Sequence, residues 1–351
     1  MSSSISENRA LGEGFVPKRT RLQWVQVTLH KYPWISALIV LILVVAGFGL
    51  VNERFLLPST ISLMVQQTVI VGTLALAQSL IILTAGIDLS IGSIMIFGQM
   101  VMANIAVFAT ASNVLPIAGG NPYLAIGLGI LAATAIGGIN GLIIVRFNLP
   151  PFIVTLGTWS VFMGFSLILF KSRIIQGLEM PEVMTLLGEG FSVGPFVFTF
   201  GLLVMVFLFF AVSWALRNTA WGIHVYAVGD DPVAARLSGI NTKRVILSVY
   251  LVAGLIMGIA AYITIGRIGS ASPNVDPMLN LQSITAVVIG GISLFGGRGA
   301  VVGALLGAMI VTAVEMGLSL AGVDQAYRTA SIGMLVIIAV GVDQWIRKVK
   351  V

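Results

Sequence analysis

The chain contains no cysteine. Disulfides, iron–sulfur clusters and thiolate metal sites are therefore excluded. Its two histidines, His30 and His224, are too few and too far apart for a histidine-based metal site. No Gly-Lys dipeptide occurs anywhere, so the phosphate-binding loop that ends in Gly-Lys-Ser/Thr is missing. No Ser/His/Asp, Cys/His or metal-ligand constellation is present, which leaves nothing for an intramembrane enzyme to work with. Charge is scarce too. Asp, Glu, Lys and Arg make up 9% of the residues, where soluble domains carry about 25%. So few charges cannot cover a water-facing surface.

What is abundant is apolar. The chain is 58% hydrophobic over 351 residues, with mean hydropathy +1.04. These values define an all-α, polytopic transmembrane helical bundle. Forty glycines suit helices packed closely in lipid. The net charge of +6 is accounted for by loop cations and calls for no nucleic acid.

Residues 1–32 read as a basic cytoplasmic tail, partly disordered, whose second half suits a membrane surface. The first apolar run follows without a small-residue cleavage site, as in an uncleaved signal anchor. Residues 33–351 form the transmembrane domain. A span needs about 20 residues. Ten runs qualify or nearly qualify: Trp34–Val51, Ile61–Leu83, Leu89–Ala109, Tyr123–Val145, Phe152–Phe170, Phe196–Leu216, Val245–Ile265, Leu281–Phe295, Ala300–Leu320 and Thr329–Trp345. The eighth is short, and the second and third are barely separated, so broken or re-entrant segments are expected there.

Ten spans put both termini on one side. With the termini inside, fourteen of the nineteen Lys and Arg residues are cytoplasmic, as the positive-inside rule requires. An outer loop, 171–195, then carries Glu179, Glu182 and Glu189. An inner loop, 217–244, contains a helix signal: Asp231 as N-cap, Pro232 first, Gly239 as stop.

From Phe55 to Val145 the only residue charged at neutral pH is Asp88. A carboxylate inside a bilayer costs about 2.5–3.5 kcal/mol on insertion scales. Gly86 and Gly92 flank it, which fits a broken helix. Two readings stay open. Asp88 caps the helix starting at Leu89, or it lines a polar path, or orders the break that does, together with neighbours such as Ser90; the two are compatible. Gln66, Gln67, Gln78, Gln99, Asn104 and Asn140 also lie in apolar runs, where amides bind hydroxyls or bridge helices. Glu315 is a second acid within a span. Gly86–Gly92 is echoed by Gly291–Gly297, a weak internal repeat of the sort that transporters carry at paired breaks. Gly137/Gly141, Gly254/Gly258 and Gly303/Gly307 have the spacing of tight helix contacts.

The stretch Thr84–Ser93 resembles the signature of the membrane permeases of ribose-type bacterial ABC importers, the sugar branch of the sugar and branched-chain amino-acid permease family. Leu149–Thr158 is similar to the family's Pro-Phe-Ile-x-Thr-Leu-Gly-Thr segment. Ala234–Ile240 resembles its cytoplasmic loop. Ile289–Gly299 and Gly303–Ala308 look like its late glycine-rich break and the helix after it. The resemblance covers about residue 33 to the C-terminus. Asp230-Asp231 departs from the Gly-Asn often found there, and the basic tail is long.

The resemblance implies a permease in the bacterial inner membrane that pairs with a second copy of itself. It implies a neutral monosaccharide delivered by a periplasmic sugar-binding protein and a separate ABC ATPase that uses the ATP. The chain itself would bind no cofactor and no metal. The translocation-pathway candidates are Asp88, Ser90, Gln66, Asn104 and Phe295. The break glycines are Gly86, Gly92, Gly296 and Gly297. Asp231, Ala234, Ala235, Arg236, Leu237 and Gly239 would form the helix that couples to the ATPase. An ion-coupled secondary sugar transporter is the alternative, although Asp88 and Glu315 offer it little to coordinate ions.

Overall fold

The computed structural model describes residues 33–107, 121–176, 180–274 and 278–347. The expectations for the tail 1–32, for Phe108, Ala109, Glu179 and for Lys348 and Lys350 lie outside those residues.

Proline, pre-set for a first helical turn, opens five helices. These are α1 (Pro33–Val51), α2 (Pro58–Leu83), α4 (Pro122–Phe147), α5 (Pro151–Leu169) and the short α9 (Pro232–Leu237). The remaining helices are α3 (Ile91–Ala106), the single-turn α6 (Glu182–Thr185), α7 (Phe200–Asn218), α8 (Ala220–Asp230), α10 (Thr242–Ile268), α11 (Met278–Ile289), α12 (Val301–Leu320) and α13 (Gln325–Arg347). Seven of them, α1, α2, α4, α5, α7, α10 and α12, are long and apolar enough to cross a membrane; α3, α11 and part of α13 are shorter apolar helices. Each of the ten expected runs thus holds one helix.

The differences are local. The sixth run starts not as helix but as a hairpin. Gly190–Val193 (β2) pairs with Phe196–Thr199 (β3) around Gly194, whose φ is +60°. Phe-Val-Phe-Thr prefers the extended state, and the helix begins only at Phe200. In the inner loop, α8 follows α7 directly, so two helices stand where one was expected.

Two ends can be told apart. At one, Ile175–Gln176 (β1) pairs with Ser270–Ala271 (β4), and the β2–β3 hairpin is fixed to the start of α2. Val197 N–H donates to Ser62 Oγ at 3.0 Å, and Gln66 Nε2 donates to Val197 C=O at 3.3 Å. At the other end, α8 lies against the two glycine-rich breaks, and α9 follows it. Segments assigned outside by charge therefore sit together, and so do those assigned inside.

α2 is the central helix: 72% of its apolar window is buried, against 17% for α1 and α5. The small-residue spacings mark contacts as expected. A Cβ placed on Gly254 would meet Ala133 C=O of α4 at 2.8 Å, and one on Gly307 would meet Ala286 C=O of α11 at 1.8 Å. Only residues without side chains let these backbones approach so closely.

Candidate functional site

The first break runs from Thr84 to Ser90 between α2 and α3. The second runs from Gly290 to Ala300 between α11 and α12. Both begin with the same glycine-type helix stop. In the first, Gly86 N–H donates to Ile81 C=O and Ala85 N–H to Ile82 C=O. In the second, Ile292 N–H donates to Val287 C=O and Gly291 N–H to Val288 C=O. The left-handed residue is Ala85 (φ +60°) in one and Gly291 (φ +82°) in the other. The internal repeat is therefore real in geometry but shifted. Gly291 matches Ala85, not Gly86, because the hydrogen-bonded stop sets the register rather than the glycine spacing.

The first break is held by side chains from three other helices. Thr155 Oγ of α5 donates to Ile87 C=O at 3.2 Å and accepts from Leu89 N–H at 3.1 Å. Asn280 of α11 accepts from Gly92 N–H at 2.8 Å and donates to Leu89 C=O at 2.7 Å. Asn140 Nδ2 of α4 donates to Ser90 Oγ at 2.9 Å. Backbone groups freed by a helix break inside a membrane must be satisfied by such partners.

Asp88 sits at the centre of this cluster and is fully buried. Its Oδ1 accepts from Ser90 N–H at 2.6 Å and from Ser90 Oγ at 2.5 Å. The helix proper starts at Ile91 with Ser90 as N-cap. Asp88 is thus two residues outside the cap and closes a turn; the expectation that it caps a helix starting at Leu89 is corrected. Ahead of the helix that starts at Ile91, Leu89 N–H is held by Thr155 and Leu89 C=O by Asn280.

The remaining pathway candidates do not converge. Ser90 is buried with Asp88. Gln66 reaches the hairpin at the opposite end. Asn104 is buried and donates to Met100 C=O of its own helix at 3.2 Å. Phe295 is 54% exposed within the second break. The four named glycines do lie in or beside the breaks: Gly92 N–H is bound by Asn280, while Gly296 (φ +84°) and Gly297 (φ +69°) make the turn of the second. The two breaks touch, since Gly297 N–H donates to Leu83 C=O at 3.0 Å.

On α9, Asp231 is the expected N-cap and accepts from Val233 N–H at 2.8 Å and Ala234 N–H at 3.0 Å. Gly239 (φ +86°) follows the helix stop. Leu237 is 84% exposed, Arg236 and Ala234 are exposed, but Ala235 is buried against its own chain. Ala235, named among the coupling residues, therefore turns its methyl inward, away from the exposed face of the helix. Before α9, Tyr226 of α8 donates to Gly299 C=O at 2.8 Å. Burial pushes the Tyr226 phenol above its ordinary range.

Sequence reasoning left out Asn280, Tyr226 and Gly229. The signal for Asn280 was an amide one residue ahead of the short eighth run. Among the described residues no group of three or more His, Cys, Asp or Glu is arranged to hold a metal ion.

The chain matches the family model described as branched-chain amino acid transport system / permease component over residues 60–340. It belongs to that family, and so is a polytopic permease of the bacterial inner membrane. It is 43% identical over 335 residues to the fructose import permease protein of Rhizobium meliloti, covering 94% of this chain and 91% of the relative. It is 36% identical over 229 residues to the ribose import permease protein of Bacillus subtilis, covering 65% and 70%. It is 33% identical over 238 residues to the galactose/methyl galactoside import permease protein of Haemophilus influenzae, covering 66% and 70%. No solved structure matches it.

Proposed function

We propose that this chain is the permease subunit of an ABC importer that moves a neutral monosaccharide, fructose or a similar sugar, across the inner membrane. The observation that carries this reading is the 43% identity over nearly the whole chain to a fructose import permease. The sugars named for the relatives are all uncharged. The ion-coupled alternative draws no support from relatives that are import permeases.

Two copies enclose the path, a periplasmic binding protein delivers the sugar, and a separate ATPase binds the cytoplasmic face. This chain supplies no nucleotide site. Transport proceeds by alternating access as the broken helices of each copy tilt. Asp88 and Ser90 act by ordering the first break rather than by touching sugar, which fits their complete burial.

The exposed face of α9, Val233, Ala234, Arg236 and Leu237, seats on the ATPase. A buried leucine anchor contributes about 1.5–3 kcal/mol. Leu237→Asp is therefore expected to lose ATPase pull-down and sugar-stimulated ATP hydrolysis while the isolated permease keeps its thermal stability. Undiminished pull-down with normal coupled hydrolysis would sink the docking role. Proteoliposomes with permease, ATPase and binding protein that take up no sugar on ATP addition would sink the importer reading itself.

A further inference from the structure

Where α8 ends, three remote pieces of backbone meet with no side chain between them. Gly229 is the penultimate residue of α8. A Cβ placed on it would lie 1.8 Å from Leu83 C=O and 2.6 Å from Gly297 N. The same Leu83 carbonyl accepts from Gly297 N–H. A Cβ on Gly296 would lie 2.6 Å from Gly229 C=O and 2.8 Å from Ala85 N. The end of α2, the second break and the end of α8 are thus in direct backbone contact. One turn earlier, Tyr226 ties α8 to Gly299. Two residues after Gly229, Asp231 caps α9.

We propose that α8, α9 and the two breaks move as one rigid body, with Gly229 as the positioning residue that transmits displacement of α9 to both breaks at once. Backbone in van der Waals contact leaves no compressible layer to absorb a push, since packed interiors shift between discrete arrangements rather than deform. A side chain at position 229 would act as a wedge and part the three segments. The proposal rests on α9 being the ATPase contact, and deepens it by naming how its movement reaches the membrane.

The test uses the intact importer in proteoliposomes. Asp230 and Arg298 are exposed and lie 3.8 Å apart across the junction; an exposed pair of this kind contributes little to stability. In this cysteine-free chain, Asp230→Cys with Arg298→Cys can be bridged by a short, cleavable thiol cross-linker before assembly. A rigid body tolerates the bridge, so the cross-linked protein should import sugar at the rate of the same variant without the bridge. Import that stops on cross-linking and returns on cleavage overturns the proposal.

Gly229→Ala reads the wedge. Misplacement by about 1 Å can cost a hundredfold where geometry decides a step, so sugar moved per ATP should fall about tenfold or more, with ATPase pull-down retained. An unchanged ratio overturns the proposal. Should Gly229→Ala fail to fold, the cross-linking result decides alone. Wild-type vesicles serve as the reference: if they import nothing, the importer reading fails, whereas an active wild type with an inactive bridged variant removes only the rigid body.

Discussion

Asn280 and Gly92 lie 188 residues apart, yet Gly92 N–H donates to Asn280 Oδ1 at 2.8 Å. The same side chain donates to Leu89 C=O at 2.7 Å. One amide thus satisfies both an orphan donor at the start of α3 and a carbonyl freed by the break. Replacing it with leucine buries both groups without partners, at about 1–3 kcal/mol each. Asn280→Leu is expected to lower the melting temperature in detergent and to abolish sugar uptake. A melting temperature equal to wild type would show that the amide does not hold the break.

Asp88 accepts both of its hydrogen bonds on one oxygen. Asparagine can present the same oxygen to Ser90, and leucine cannot. Asp88→Asn should keep the fold and part of the transport. Asp88→Leu should lose transport or expression, because the Ser90 N–H is left unpaired at a cost of about 1–3 kcal/mol. Wild-type uptake by Asp88→Leu would show the carboxylate to be idle.

Ala85 takes the left-handed conformation that Gly291 takes in the second break. A side chain there costs roughly 1–2 kcal/mol, and glycine gives back roughly 0.5–1 kcal/mol through its freer unfolded chain. Ala85→Gly should therefore stabilise the protein slightly, by up to about 1.5 kcal/mol. Thermal unfolding in detergent measures it, and a clear loss of stability would mean that the alanine methyl packs usefully.

The sidedness is open to a labelling experiment. Ser192 in the β2–β3 turn region and Ser238 after α9 are both exposed. Ser192→Cys should react with an impermeant thiol reagent only from the periplasmic side, and Ser238→Cys only from the cytoplasm. Gly188 is unsuitable, since a side chain there would meet Gly266 C=O at 1.8 Å. Labelling of position 192 from inside would reverse the topology.

Composition and periodicity alone determined the class of this protein. Helices in lipid must be long, apolar and nearly free of charge, so each apolar run contains one helix. The Asp231-Pro232 start and Gly239 stop also declared themselves, because caps are local chemistry. Asp88 stood out as a lone charge, which marked the right segment. Its surroundings were decided by tertiary structure: Thr155 and Asn280 hold Leu89 ahead of the helix that starts at Ile91, and both come from distant parts of the chain. The register of the repeat was decided there too, by which carbonyls the break amides reach. Gly229 is one glycine among forty in the sequence. Only the fold brings it against Leu83 and Gly297, and no spacing along a chain encodes the approach of three backbones from three separate segments.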